Sequence, residues 1–349
     1  MDIAENVPLA PLTTLRVGGP ARYFARARSE QEIVTSVTWA RETSLPLFVL
    51  GGGSNLLVSD SGFPGLVLQI AVKGIAQRNE GGTEIFEVAA GEDWDDFVAA
   101  TVEAKCGGIE CLSGIPGSVG GTPVQNVGAY GQEVKETIRS ARALEIVTGK
   151  ILDFSNHDCQ FSYRKSIFNT SPGRYIVLQV RFELRKETKP KLEYADLKRY
   201  FAGRTSPSLS EVRNAVREIR RSKGMLIVEG DPDCRSAGSF FKNPVVEANQ
   251  YEALCALPAA AGKNVPRFAA GEQWKLSAAW LVEHSGFPRG YVDGAVGISS
   301  KHTLAIVNRG GARAADVLRL KNEIQKRVQQ EFGIALQPEP VMLGFDSQP

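Results

Sequence analysis

Apolar and polar positions alternate along Tyr23-Phe24-Ala25-Arg26-Ala27, a spacing that predicts a strand. Ser29 and Glu32 stand at capping-box distance ahead of Ile33, Val34, Val37 and Ala40, an apolar stripe at helical period. The run Leu45-Pro46-Leu47-Phe48-Val49-Leu50 is short and apolar throughout, as a buried strand is. Strand, helix and strand make a βαβ unit. Residues 11–20 before it read as extended chain turning at Gly18-Gly19, and residues 65–70 after it as a further strand. Residues 73–83 are polar and rich in turn formers, and a domain boundary is expected there.

Beyond that point, residues 85–90 predict a strand, and Trp94, Phe97, Val98, Thr101 and Val102 mark one face of a helix. Residues 143–147 read as a strand ending in a Thr148-Gly149 turn, and residues 175–184 as another. Ser208 and Glu211 repeat the capping box ahead of Val212, Ala215, Val216 and Ile219. The basic cluster Arg220-Arg221-Ser222-Lys223 suits the end of that helix, where cations oppose the dipole. Residues 275–284 read as a helix stopped at Ser285-Gly286, and residues 302–308 as a strand. Val317, Leu320, Ile324 and Val328 line a long helix whose solvated side carries Arg319, Lys321, Lys326 and Arg327. Residues 336–344 close the chain as a strand. Hairpins interspersed with single helices predict an α+β fold, not a doubly wound sheet.

Two stretches have no period at all. Gly51-Gly52-Gly53-Ser54-Asn55 follows a strand directly, but it lacks GxGxxG and its helix precedes it, so it is not the dinucleotide fingerprint. Taken alone it reads equally as a plain turn. Residues 111–131, CLSGIPGSVGGTPVQNVGAYG, are almost uncharged, with glycine at 114, 117, 120, 121, 128 and 131. An aperiodic stretch of this length inside a domain is usually functional. Glycine lets backbone approach a ligand, and successive N–H groups can form a nest for anionic oxygens. Ser113, Ser118, Thr122 and Asn126 add neutral donors. Two such loops on separate elements suit one long, phosphate-bearing cofactor.

Two later segments each carry a pair of readings. In Phe161-Ser162-Tyr163-Arg164-Lys165-Ser166-Ile167-Phe168, the cations are either snorkelling bases on a surface turn, or Arg164 is held by aromatic packing and aimed at a carboxylate. In residues 235–244, small neighbours crowd Ser239 beside Phe240, Phe241 and Lys242. That is either a strand ended by Asn243-Pro244 or a serine on a pocket wall, and it is not the GxSxG elbow.

Composition narrows the classes. A chain of 349 residues suggests two or three domains, and 43% hydrophobic with 23% charged residues is ordinary for a globular protein. A net charge of +2 gives no field for nucleic acid or membrane. The five cysteines, at 106, 111, 159, 234 and 255, form no CxxC pair and read as reduced thiols of a cytoplasmic protein. The three histidines, at 157, 284 and 302, have no ligand spacing, so no metal is expected. The first residues lack the basic and apolar regions of a signal peptide, and no apolar run is long enough to span a bilayer.

In order, GGGSN, IPGSVGGTPVQNVGAYG, SYRKSIF and AGSFFKNP, followed by Pro338-Glu339-Pro340-Val341, resemble the UDP-N-acetylenolpyruvoylglucosamine reductase family over nearly the whole chain. The first half also resembles the flavin domains of vanillyl-alcohol-oxidase-like (PCMH-type) enzymes, which hold FAD with two glycine loops and no Rossmann fingerprint. The resemblance implies an α+β protein with a two-part FAD-binding domain, residues 1–72 and 73–222, and a last strand, 336–349, that can return to the second part. Residues 223–335 are then an α+β substrate-binding domain. It implies FAD contacts from Gly51, Gly52, Gly53, Ser54, Asn55, Ser113, Gly117, Ser118, Gly120, Thr122, Asn126, Ala129 and Tyr130.

The implied activity is NADPH-dependent reduction, through bound FAD, of the enolpyruvyl ether of UDP-N-acetylglucosamine to UDP-N-acetylmuramate in peptidoglycan precursor synthesis. A hydride passes from flavin N5 to the methylene carbon, and Ser239 matches the donor of the proton to the adjacent carbon. Arg164 and Glu339 match the residues that clamp or polarise the carboxylate. Glu339 is then expected where burial or a like charge raises its pKa. Tyr194 matches a tyrosine that closes over the substrate, and Lys223 and Asn243 match polar groups that hold it. The chain departs from the family pattern at Gly224-Met225, at Gln337 and at His284. A monomer is expected, with UDP-N-acetyl-3-O-(1-carboxyvinyl)-glucosamine and NADPH as partners. Two alternatives stand beside this. One is an alcohol or sugar oxidase of the same flavin class, which a histidine for covalent flavin in the glycine loops would favour; all three histidines lie outside them. The other is a non-catalytic nucleotide-sugar or flavin binder, in which Ser239, Arg164 and Glu339 do not converge.

Overall fold

Residues 2–186, 188–204 and 206–345 are described by the computed structural model of the chain. They pack as two units. One comprises Met1–Val7, Ala21–Gly53 and Pro64–Ser222, the other Pro8–Pro20, Ser54–Phe63 and Lys223–Pro349.

The first unit holds two sheets. The smaller runs in the order Ile3–Pro8, Pro20–Ala27, Phe63–Ile70, Leu47–Leu50. Its last two strands are parallel, with Leu47 opposite Leu66. Helix α1 (Glu30–Glu42) makes the crossover and buries Ile33, Ser36, Val37 and Ala40. Ser29 Oγ accepts the Glu32 N–H at 3.2 Å, and the Glu32 carboxylate reaches back to the Arg28 N–H at 2.5 Å. The larger sheet is antiparallel, in the order Ile151–Ser155, Ile138–Glu145, Tyr175–Lys186, Thr83–Ala89, Ile75–Glu80. Helix α2 (Trp94–Glu103) buries its aromatic stripe on this sheet, with the Phe97 ring 4.9 Å from Phe182 and 5.8 Å from Phe86. Short helices α3 (Ile167–Thr170) and α4 (Ala195–Tyr200) follow. Helix α5 (Leu209–Ser222) starts at the expected box: Ser208 Oγ accepts the Glu211 N–H at 3.2 Å, and the Glu211 carboxylate accepts the Ser208 N–H at 2.8 Å.

The polar stretch 73–83 holds an element that its pattern does not announce. It contains the strand Ile75–Glu80, turned into Thr83–Ala89 by Gly81 and Gly82 at φ 60° and 91°. Every residue of that edge strand is exposed, so alternation is absent and charge marks it instead. Arg78 pairs there with Glu80 and Glu87, at 2.8 and 2.6 Å.

In the second unit Val341–Leu343 runs parallel to Leu56–Val58, with Met342 opposite Leu57. Residues 346–349 of the expected last strand lie outside the described residues. A three-stranded sheet takes Val245–Val246, Gln273–Leu276 and Arg267–Ala270, and another takes Val292–Asp293, Val296–Ile298 and Ile306–Asn308. Helix α6 (Ala248–Cys255) precedes the hairpin. Helix α7 (Ala278–His284) is shorter than expected, because Ser277 caps it and the residues before it pair as a strand. Helix α8 (Ala314–Phe332) buries Val317, Leu320, Ile324 and Val328, and Gly333 ends it in the left-handed region at φ 68°. Among the described residues no helix is long and apolar enough to cross a membrane, and no group of histidine, cysteine or acidic side chains is placed to hold a metal.

Candidate functional site

The strand Leu47–Leu50 delivers the glycine triplet against the long loop more closely than side chains permit. A Cβ on Gly52 would lie 2.6 Å from the Gly117 Cα, and one on Gly51 would lie 2.8 Å from Ser118 Oγ. Gly51, Gly52, Gly117 and Ser118 line a cavity of about 610 Å³, with Arg26, Arg28, Gln69, Lys73, Glu92 and Asp93 around it. The backbone N–H groups of Gly52, Gly117 and Ser118 donate to no acceptor among the described residues. Backbone donors need partners, so three uncommitted amides on one cavity make a seat for anionic oxygens. The acids beside it are engaged. Glu92 takes Lys73 at 3.3 Å and the Gly74 N–H at 2.6 Å, and Asp93 caps α2 through the Asp95 and Asp96 N–H groups.

Other expected donors hold the loop itself. Ser113 Oγ donates to Glu110 O at 2.6 Å, and Thr122 Oγ1 to Val119 O at 2.8 Å. The Gly120 N–H bonds to Ala90 O at 2.8 Å. Gly53 takes φ 64°. Asn126 is buried at φ 44° and works as a hub. Its Nδ2 donates to Glu133 at 2.9 Å and to Ser162 O at 3.1 Å, while its Oδ1 accepts the Lys135 N–H at 3.2 Å. Ala129 pairs with Gln132 in a small hairpin. Tyr130, at φ 51°, meets Tyr194 edge to face at 5.3 Å, and Tyr194 stays exposed.

Arg164 sits at the tip of a turn closed by Ser162 and Lys165, at φ 56°. Its Nη2 donates to Gly128 O at 2.8 Å and its Nη1 reaches Asn126 O at 3.5 Å. The guanidinium also lies 5.4 Å from the Tyr163 ring. It is therefore docked on the glycine-rich loop, not snorkelling.

In the second unit, long-range antiparallel pairing sets Phe240 opposite Glu339 in register, one position along the chain from Ser239. The Glu339 N–H donates to Phe240 O and the Lys242 N–H to Gln337 O, both at 2.9 Å, and Phe241 bridges Pro338. Phe240 and Phe241 are buried and anchor the segment after Gly238 turns at φ 75°. Ser239 is half-buried, and its hydroxyl makes no hydrogen bond to the described residues. Asn55 joins this group, its Nδ2 donating to Glu339 O at 3.3 Å and its carbonyl accepting the Val341 N–H at 3.0 Å. Ser54 O accepts Thr14 Oγ1 at 3.3 Å. Asn243 Oδ1 accepts the Ala278 N–H at 3.0 Å and so starts α7. The segment following Lys223 is fastened by Asp233, which accepts from Ser300 N and Oγ, and by Lys301 on Asp231 at 2.5 Å. His284 is stacked on Trp280 at 4.0 Å, with Nδ1 2.8 Å from Trp280 O.

Sequence reasoning missed Asp95, Arg213, Arg217 and Arg220. Asp95 pairs with Arg213 at 2.5 Å and with Arg217, and Arg220 is buried. Their one signal is that Arg220 falls on the apolar stripe of α5, at the helix end where the sequence predicts cations opposing the dipole.

Residues 231–343 match the family model described as UDP-N-acetylenolpyruvoylglucosamine reductase, C-terminal domain, and residues 21–155 match an FAD binding domain. The chain is 46% identical to the UDP-N-acetylenolpyruvoylglucosamine reductase of Streptomyces coelicolor, covering 97% of this chain and 90% of that one. It is 45% identical to the enzyme of that name from Thermobifida fusca, covering 98% of each. Among solved structures it is similar to the UDP-N-acetylenolpyruvylglucosamine reductase of Thermus caldophilus, with a TM-score of 0.66 at 27% identity over 98% of this chain and 99% of the other.

Proposed function

The chain belongs to the UDP-N-acetylenolpyruvoylglucosamine reductase family, and from that premise we propose that it is an FAD-dependent oxidoreductase of peptidoglycan precursor synthesis. Its reaction is the NADPH-dependent reduction of the enolpyruvyl ether of UDP-N-acetylglucosamine to UDP-N-acetylmuramate, in the cytoplasm and as a monomer. The observation that carries the cofactor is the cavity on two glycine loops with three uncommitted amides, inside the residues that match an FAD binding domain.

Gly52, Gly117 and Ser118 would hold the pyrophosphate of FAD through their N–H groups, and Arg26 and Arg28 would offset its charge. Bound FAD supplies the hydride chemistry, and the protein positions and polarises. The two sheets of the first unit serve as the two halves of the cofactor domain, and residues 223–335 as the substrate domain. Arg164 forks onto the substrate carboxylate; its contacts to Gly128 and Asn126 preset the guanidinium, so little side-chain entropy is left to lose. Glu339 faces the same developing negative charge, which requires it to be protonated or bridged by a base. Ser239 Oγ gives the proton to the carbon next to the carboxylate. A serine hydroxyl is a weak acid, so a water or a nearby cation has to restore that proton. Tyr194 closes over the substrate. Lys223 holds it, together with Asn243, whose Nδ2 is left to donate once its Oδ1 has taken the Ala278 N–H.

The test is an absorbance spectrum of the purified protein followed by anaerobic NADPH. Flavin bands that bleach, then return when the enolpyruvyl nucleotide sugar is added, are expected. Ser239→Ala should leave the bleaching intact and slow the return by about 10²–10⁴-fold, the scale of a lost general acid. A colourless protein that takes up no added FAD overturns the reading. Bleaching without return moves the protein to the oxidase class.

A further inference from the structure

Helices α2 and α5 are joined by a charged cluster that the proposed reaction leaves unused. The Asp95 carboxylate, on the first turn of α2, accepts the Gly114 N–H at 2.6 Å. It also takes Arg213 at 2.5 Å and Arg217. From the other side, Arg220 Nε donates to Gly114 O at 3.0 Å. The three arginines fall at i, i+4 and i+7, on one side of α5. Burial alone would raise the Asp95 pKa, but the Arg213 hydrogen bond, the Gly114 N–H and the two guanidinium charges outweigh it and hold the carboxyl below its ordinary range. Burial pulls the Arg220 pKa down, with the Tyr130 hydroxyl and Asp95 opposing it, and a guanidinium remains charged even so.

Gly114 is buried at φ 71° and lies three residues before Gly117. Pro116 stands between them with its φ locked by the ring, so Gly114 and Gly117 are joined by a stiff link. The far side of that link is tied to the start of α2 as well, by the Trp94 N–H on Gly117 O at 3.1 Å and the Val119 N–H on Glu92 O at 2.9 Å. We infer that Asp95 is a positioning residue for this loop: with Arg213, Arg217 and Arg220 it locks Gly114 from both sides and so sets where the Gly117 and Ser118 amides stand. The inference rests on reading those amides as the donors to the FAD pyrophosphate.

The experiment compares wild type, Asp95→Asn and Arg217→Gln by amide hydrogen exchange of the apoprotein and by fluorescence titration with FAD. Asp95→Asn keeps the shape and removes the charge. Its exchange over residues 114–119 should rise by about tenfold or more and its FAD affinity fall by about 10–100-fold, the scale of losing a hydrogen bond to a charged group. Exchange along Tyr175–Lys186 should not change. The effect of Arg217→Gln on FAD affinity should shrink in the Asp95→Asn background, because the two act through one contact. FAD affinity within twofold of wild type overturns the inference. So does a loss accompanied by equally faster exchange along Tyr175–Lys186, which is general destabilisation. If wild type takes up no FAD, the cofactor reading fails instead, and the clamp is then judged by exchange alone: faster exchange over residues 114–119 supports it and unchanged exchange overturns it.

Discussion

Gly52 has no room for a methyl group. A Cβ there would stand 2.6 Å from a backbone atom, the Gly117 Cα, and backbone cannot swing aside as a long side chain does. Gly52→Ala should therefore push the two glycine loops apart. An overpacking cost of about 1–3 kcal/mol converts to about 5–150-fold in FAD affinity, read by fluorescence titration, with an unchanged far-UV circular dichroism spectrum. Gly149→Ala is the control. Its φ of 68° makes any side chain strained, but nothing lies within 4 Å of the added atom, so it should cost stability and leave FAD affinity alone. Affinities that fall equally in both variants would mean that the loop approach has no bearing on the cofactor.

At the scale of elements, the hairpin Ile75–Glu80 with Thr83–Ala89 carries an acid-sensitive link. The Glu84 carboxylate accepts from Gln77 at 2.8 Å and Asn79 at 2.7 Å and takes Lys186 at 3.1 Å. These hydrogen bonds pull its pKa from 4.5 down to about 2. Because the folded value is the lower one, the contribution is complete above the unfolded value near 4.5 and is lost as pH falls through about 2. Glu84→Gln should lower the urea midpoint at neutral pH and flatten its decline between those two pH values. An acid limb as steep as that of wild type would show that Glu84 does not supply it. The same hairpin explains why residues 75–80 carry no strand pattern in the sequence. An edge strand exposed on both faces has no buried side to impose a period of two.

At the scale of the molecule, each unit has its own hydrophobic core. Phe182 packs with Trp94 and Phe97 in one, and Leu57 lies in the other with Phe240, Leu281 and Leu320. Both are fully buried. Phe182→Ala should cost about 3–5 kcal/mol and Leu57→Ala about 2–5 kcal/mol in urea unfolding. Trp94 fluorescence should register the first, since its ring lies 5.9 Å from Phe182. Losses under 1 kcal/mol at either site would contradict the packing. The capped helices α1 and α5, the apolar stripe of α8 and the two aperiodic glycine loops were legible in the chain alone. Caps, periods and backbone freedom are set by residues within a turn or two of one another. The sequence by itself thus determined the capped and strongly periodic elements, the loops and, through its motifs, the family. Tertiary structure alone decided which distant residues meet. Phe240 pairs with Glu339 only because two far-apart segments share a register, and Asp95 finds Arg213 118 positions along the chain. Ser113, Thr122 and Asn126 show the same division. Their types mark them as donors, but whether a donor turns to a ligand or to its own loop depends on which acceptors the fold brings within reach, and here the acceptors are Glu110, Val119, Glu133 and Ser162.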